Sequence, residues 1–187
     1  NFTIVNEGDL NFTATSQVTF QGTLNNFASG DVVATAPSLF LFLAATVTND
    51  GIMTFGELEN SESPSMVNTA HGVINVNGSF YNHGEFTNNG SVFMDCSLPG
   101  SLCGFRVGDK GPGKEFINNS CCFEVTGDVQ FDGVSTNNGK INIINGDLNI
   151  NKAHTGTNGH IIMTNGISNI GPGGSYAGTN MKFCDCN

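Results

Sequence analysis

Six cysteines, Cys96, Cys103, Cys121, Cys122, Cys184 and Cys186, are the side chains of this 187-residue sequence best suited to covalent or metal chemistry. An even number of cysteines fits a disulfide framework in an oxidising compartment. Cys96 and Cys103 bracket a loop containing Pro99 and Gly100 and are the pair expected first. Adjacent Cys121 and Cys122 are expected to take two different partners. The Cys184-Asp185-Cys186 end is placed either to staple the terminus or to reach a neighbouring molecule. The competing chemistry is thiolate zinc, which favours Cys-x-x-Cys pairs or closely spaced histidines. Neither occurs, so no metal and no cofactor are expected.

Histidines and carboxylates are the next candidates. His71 and His83 precede Gly72 and Gly84 in the slot that Asn77 and Asn89 fill in sister units, which is a structural position for a hydrogen-bonding side chain. His154 and His160 flank a Gly-rich turn and form the one pair considered for a metal, but no carboxylate accompanies them closely. Asp95, Asp109, Arg106, Lys110 and Lys114 would be the cluster for a carbohydrate-active enzyme, whose chemistry needs paired acids or a carboxylate-bound cation. No nucleophile elbow, phosphate-binding loop or His-Glu-x-x-His motif is present, and the expectation is a protein that is not an enzyme.

The elements that would position these groups follow from composition and repeats. Only 12% of residues are charged, with 25 Gly and 26 Asn filling the gap, no Trp and a single arginine, Arg106. A net charge of −10 argues against nucleic acid and anionic membranes as partners, because both demand a basic stripe. The longest apolar run, Leu39-Phe40-Leu41-Phe42-Leu43-Ala44-Ala45, is far short of the ~20 residues a spanning helix needs, so no membrane insertion is expected. The sequence starts at Asn1, as a trimmed secreted product would, and sequons at Asn1, Asn11, Asn77, Asn89 and Asn118 leave glycosylation open, chiefly at Asn77, Asn89 and Asn118.

Gly72, Gly78, Gly84 and Gly90 recur every six residues, each followed two positions later by Ile74, Phe80, Phe86 or Val92. A looser tract from Gly127 to Gly171 alternates apolar residues with period two, as in Val129/Phe131, Ile141/Ile143 and Leu148/Ile150. Such alternation marks short strands with one buried face. Asn-Gly occurs six times and supplies residues that tolerate positive φ at sharp turns. An antiparallel meander is one solution. It would leave a ribbon of strands about four residues long with little to pack against. A β-solenoid (parallel β-helix) is favoured, with three short strands per coil, Asn-Gly corners, apolar residues in the bore and Asn side chains laddering at corners. Coils of roughly 18–20 residues predict about six to eight coils.

One domain is expected over 1–187. Residues 1–49 read as N-terminal strands or a distinct cap, 50–94 as hexad-like coils, 95–126 as a Cys-containing insert, and 127–187 as further coils with the C-terminal Cys segment. The stretch Pro37–Thr48 reads equally as a short capping helix or a strand buried on both faces. Thr-x-Thr pairs at Thr13/Thr15, Thr46/Thr48 and Thr155/Thr157 do not recur at one spacing, so no flat threonine array is expected. The Gly/Asn hexads resemble the Asn/Gly-rich β-solenoid repeats of bacterial surface proteins and adhesins over about residues 50–94 and 127–171. That resemblance implies an extracellular structural or adhesive role.

The functional expectation is a secreted structural subunit that stacks end to end into a filament or surface layer, with itself as partner. Low charge and abundant Asn and Gly leave little repulsion against stacking, and Leu39, Phe40, Leu41, Phe42 and Leu43 are the candidate contact. The alternatives are a monomeric adhesin or glycan-binding module, with Tyr81 and Tyr176 as sugar-stacking candidates, and a carbohydrate-active parallel β-helix enzyme.

Overall fold

The computed structural model describes residues 2–13, 15–62, 65–96, 103–108, 115–156 and 159–178. Among them there is no helix, and every strand pairing is parallel. The chain winds as a three-faced β-solenoid, and the reversing arms of a meander are absent from the described residues.

On the first face, nine strands stack from Thr3–Asn6 through Thr23–Asn26, Thr46–Asn49, Ser65–Asn68 and Phe86–Asn88 to Ser175–Gly178. The second face runs from Asp9–Phe12 to His160–Thr164, and the third from Gln17–Phe20 to Ser168–Ile170. These two faces count as one fourteen-stranded sheet because Asp31–Leu43 and Ile52–Ser61 each bend through the corner between them. Equivalent positions on the first face lie 19 to 23 residues apart, except for the 30 between Phe86 and Phe116.

Period-two alternation sends one set of side chains into the bore. Phe40, Phe42, Phe55, Phe80, Phe105 and Phe123 are among the fully buried ones, and they join valines, isoleucines and methionines in one continuous core. Each such burial contributes roughly 1.5–3 kcal/mol before chain entropy is counted. Rings on successive coils meet edge to face, as in Phe105 against Phe116 at 4.8 Å and Phe80 at 5.2 Å.

The corner between the first and second faces is polar and buried. Asn6, Asn26, Asn49, Asn68, Asn88, Asn118 and Asn137 occupy one column, and each side-chain amide through Asn118 donates to Oδ1 of the next at 2.8–2.9 Å. The amides of Asn26 and Asn68 also reach the corner carbonyls of Gly30 and Gly72. Buried amides cost little when every donor and acceptor is met, and here the repeat meets them. Glycine is required beside them: a Cβ on Gly72 would lie 2.2 Å from Asn68 Oδ1 and 2.4 Å from the Asn49 carbonyl. A second short ladder links Asn60 to Asn82 at 2.7 Å on the third face.

Residues 1–49 do contain the expected strands, and those strands are the first coils of the same ladder, in register from Thr3 opposite Thr23 onward. Of the apolar run, Leu39–Leu43 is strand, the end of Asp31–Leu43, and Ala44 turns at a φ of +51°. Segment 95–126 contributes three rungs, Gly104–Val107, Phe116–Asn118 and Phe123–Thr126, while its residues 97–102 and 109–114 lie outside the described residues.

Candidate functional site

A closed coil buries its lining against the coils above and below, and among the described residues the first and last coils are the least covered. At the N-terminal end, Ile4, Leu10, Phe12 and Val18 point inward but are only partly buried, and Phe2 is 54% exposed. At the other end of the described chain, Ile161 and Met163 stand in register with the buried Ile141 and Ile143, and Ile170 with Ile150. Ile170 is 60% exposed, and with Leu148, Ile150, Ile161 and Met163 it lines an apolar groove. On the second face the two ends match, Leu10 and Phe12 standing in the columns that end at Ile161 and Met163, whereas on the third face Ile170 ends the column of the buried Phe20 and Ser168 that of Val18.

The edge strands at these ends carry few of the devices that deter pairing. Thr3–Asn6, Asp9–Phe12 and Gln17–Phe20 hold one charged residue, Asp9, and His160–Thr164, Ser168–Ile170 and Ser175–Gly178 hold no Asp, Glu, Lys or Arg. Exposed parallel edges without lysine, proline or inward charge are templates for a further strand.

The third face carries the most mixed chemistry. Gly104 and Arg106 share one rung, with Tyr81 on the rung before and Asp128 and Gln130 on the rung after, and these residues line a shallow notch. The φ of +152° at Gly104, and the 2.1 Å that would separate a Cβ at this position from the Asp128 carbonyl oxygen, exclude any larger residue. Arg106 donates from Nε to Asp132 Oδ2 at 2.8 Å, and Gln130 and Asn151 donate to the same carboxylate. Burial alone would raise the Asp132 pKa. The bonds from Asn151, Gln130 and Arg106, with the guanidinium charge, outweigh it and hold the carboxyl below its usual range.

The sequence candidates fall in several places. Cys96 and Cys103 form the expected disulfide, Cys121 and Cys122 are also disulfide-bonded, and Cys184 and Cys186 lie outside the described residues. Of the proposed contact run, Phe40 and Phe42 are fully buried in the bore, so only the half-buried, outward Leu39, Leu41 and Leu43 can meet another surface. Asn77 is half-buried and Asn89 exposed, but Asn118 is fully buried with its amide held in the ladder, which removes it as a glycan acceptor on the folded chain. Arg106 sits on the third face while Asp95 follows the second-face strand Ser91–Met94; Asp109, Lys110 and Lys114 lie outside the described residues.

The histidines do not converge. His71 is exposed beside Asp50, at 3.4 Å, and His83 packs against Gly108. His154 turns into the bore, stacked on Phe131 at 4.5 Å with Nδ1 2.6 Å from Ser135 Oγ, whereas His160 opens a second-face strand. Burial pushes the His154 pKa down to about 4. No group of three or more His, Cys, Asp or Glu suited to a metal occurs among the described residues.

Sequence reasoning missed the end residues Leu10, Phe12, Ile161, Met163 and Ile170, because alternation marks them as core without saying which coils are terminal. It also missed Asp132, 26 residues from Arg106 and aligned with it only through the coil. No family model, curated protein or solved structure matches the chain.

Proposed function

We propose that this protein is a structural, non-catalytic subunit of an extracellular filament or surface layer, assembled by end-to-end stacking of solenoids. The observation that carries the reading is the match between the two end coils. Leu10 and Phe12 at one end and Ile161 and Met163 at the other stand half-covered in the same two columns, with the exposed Ile170 beside the latter pair, on edges almost free of charge. A head-to-tail contact of this kind is heterologous and does not close, so it propagates into a fibre. Disulfide bonding of Cys96, Cys103, Cys121 and Cys122 favours an oxidising, extracellular setting. Electron microscopy of the purified, non-reduced protein tests the reading. Fibres or regular layers are expected, and dispersed particles of single-chain size at high concentration would refute it.

A second reading, a monomeric adhesin or glycan-binding module, rests on the third-face notch. Tyr81 offers a ring for stacking, and Arg106, Gln130 and Asp128 offer donors and acceptors for hydroxyls. A glycan array distinguishes it: binding that disappears in Tyr81→Ala, with the protein monomeric throughout, would replace the filament reading.

A further inference from the structure

The first face carries a pattern that the spacing of threonines in the sequence hides. Its outward positions form two ranks parallel to the solenoid axis. In one rank Thr3, Thr23, Thr46 and Ser65 are successive register partners. In the other, Val5, Asn25, Thr48, Val67, Thr87, Ile117, Thr136 and Thr155 are successive partners, and among the described rungs Thr46–Asn49 alone carries a threonine in both ranks. Variable coil length scatters these residues in the sequence, and the ladder restores the alignment, even across the 30 residues between Phe86 and Phe116.

Ordinary β-propensity would spread threonine evenly over the three faces. The distribution is uneven. Among the described strand residues, seven outward threonines (Thr3, Thr23, Thr46, Thr48, Thr87, Thr136, Thr155) stand on the first face. The second face has Thr54, Thr126 and Thr164, and the third has Thr19. The third face instead presents Glu57, Glu59, Arg106 and Asp128, and the second Asp9, Asp31, Glu124 and Lys140. The second rank of the first face has no charged member from Thr48 to Thr155. Glu85 and Glu115 interrupt the first rank, and the Glu115 carboxylate reaches the second, accepting a 2.6 Å bond from Thr136 Oγ1. Thr136 and Thr155 hold their hydroxyls 3.2 Å apart.

Rungs repeat every ~4.8 Å along the axis, and outward residues every ~6.6 Å along a strand. The rung spacing lies close to the shorter cell repeat of hexagonal ice. Methyl groups of Thr, Val and Ile confine water over the face, while threonine hydroxyls anchor it at regular intervals. We infer that the first face is a water-ordering surface whose ligand is the lattice of ice. This does not rest on end-to-end assembly, although stacking would lengthen the ranks.

Thermal hysteresis and inhibition of ice recrystallisation by the whole protein test the inference. The expected result is measurable hysteresis that is lost in Thr48→Lys and, separately, in Thr136→Lys, both outward substitutions checked for an unchanged circular dichroism melt. Thr54→Lys, outward on the second face, should retain the activity. Absence of hysteresis in the unmodified protein, or undiminished activity in both first-face variants, overturns it. Loss in Thr54→Lys as strong as in Thr48→Lys does so too, because the effect would then not belong to this face.

Discussion

The side-chain amide of Asn68 donates to Oδ1 of Asn88 at 2.9 Å, joining two coils through groups that are both fully buried. Asn88 passes the same bond to Asn118 at 2.9 Å. Truncating Asn88 to Ala leaves Asn118 Oδ1 only the 3.3 Å bond from the Ser120 N–H and takes one acceptor from the Asn68 amide, at roughly 1–3 kcal/mol per weakened buried group. The expected loss in urea or thermal unfolding is about 2–4 kcal/mol. Asn6→Ala, at the ladder end, disturbs one neighbour where Asn88→Ala disturbs two, leaving Asn26 Oδ1 without its donor, and should cost about 1–2 kcal/mol. Equal effects at the two sites would mean the column does not act as a chain.

Gly72 occupies the space that Asn68 Oδ1 and the Asn49 carbonyl leave at the corner. Gly72→Ala forces them apart and should destabilise by about 1–3 kcal/mol, the usual range for overpacking. Gly8, with no neighbouring atom within 4 Å of the added carbon, is the control and should tolerate Ala.

His154 is kept neutral in the bore, with its pKa lowered from 6.5 to about 4. The unfolded chain therefore binds the proton more readily, and stability falls as pH drops from about 6.5 toward 4, then levels off. The full loss from this residue is on the order of 3 kcal/mol. Chemical denaturation at stepped pH should show it, and His154→Phe should flatten that part of the profile. An unchanged slope in the variant would assign the acid sensitivity elsewhere.

The Cys96–Cys103 bond closes a short loop, with a sequence separation of 7. On the chain-entropy account, replacing both cysteines with serine should cost about 2 kcal/mol. Far-UV circular dichroism should stay that of a β protein, because the rungs Ser91–Met94 and Gly104–Val107 are held by their own ladders. Collapse of the spectrum would show that the bond is needed for the coil itself.

Much of this architecture is legible in the sequence, and the parts that are not share a cause. Hexad glycines and the alternation of Ile74, Phe80, Phe86 and Val92 give short strands around a filled bore, and those four residues are fully buried. The laddering asparagines are harder to read. Attention falls on Asn77, Asn89 and Asn138 of the Asn-Gly dipeptides, yet the buried column uses Asn68, Asn88 and Asn137, the last two one position earlier. A turn and a ladder leave nearly the same local signature. The run at Leu39–Leu43 looks apolar on both sides because its outward leucines are half-covered by neighbouring rungs, while only Phe40 and Phe42 face the bore. The pairing of Arg106 with Asp132 and the threonine ranks depend on register between coils of unequal length, which no fixed spacing encodes.

End-to-end stacking is tested most directly by blocking one end at a time. Leu10→Lys places a charge on the first coil, and Ile170→Lys places one on the last described coil of the third face. In sedimentation velocity, each variant alone should remain a single chain while the unmodified protein forms long assemblies. An equimolar mixture should yield dimers and nothing larger, because only one open head can meet one open tail. Unmodified protein that sediments as a monomer at high concentration, or a mixture that never dimerises while the unmodified chain assembles, would contradict head-to-tail growth.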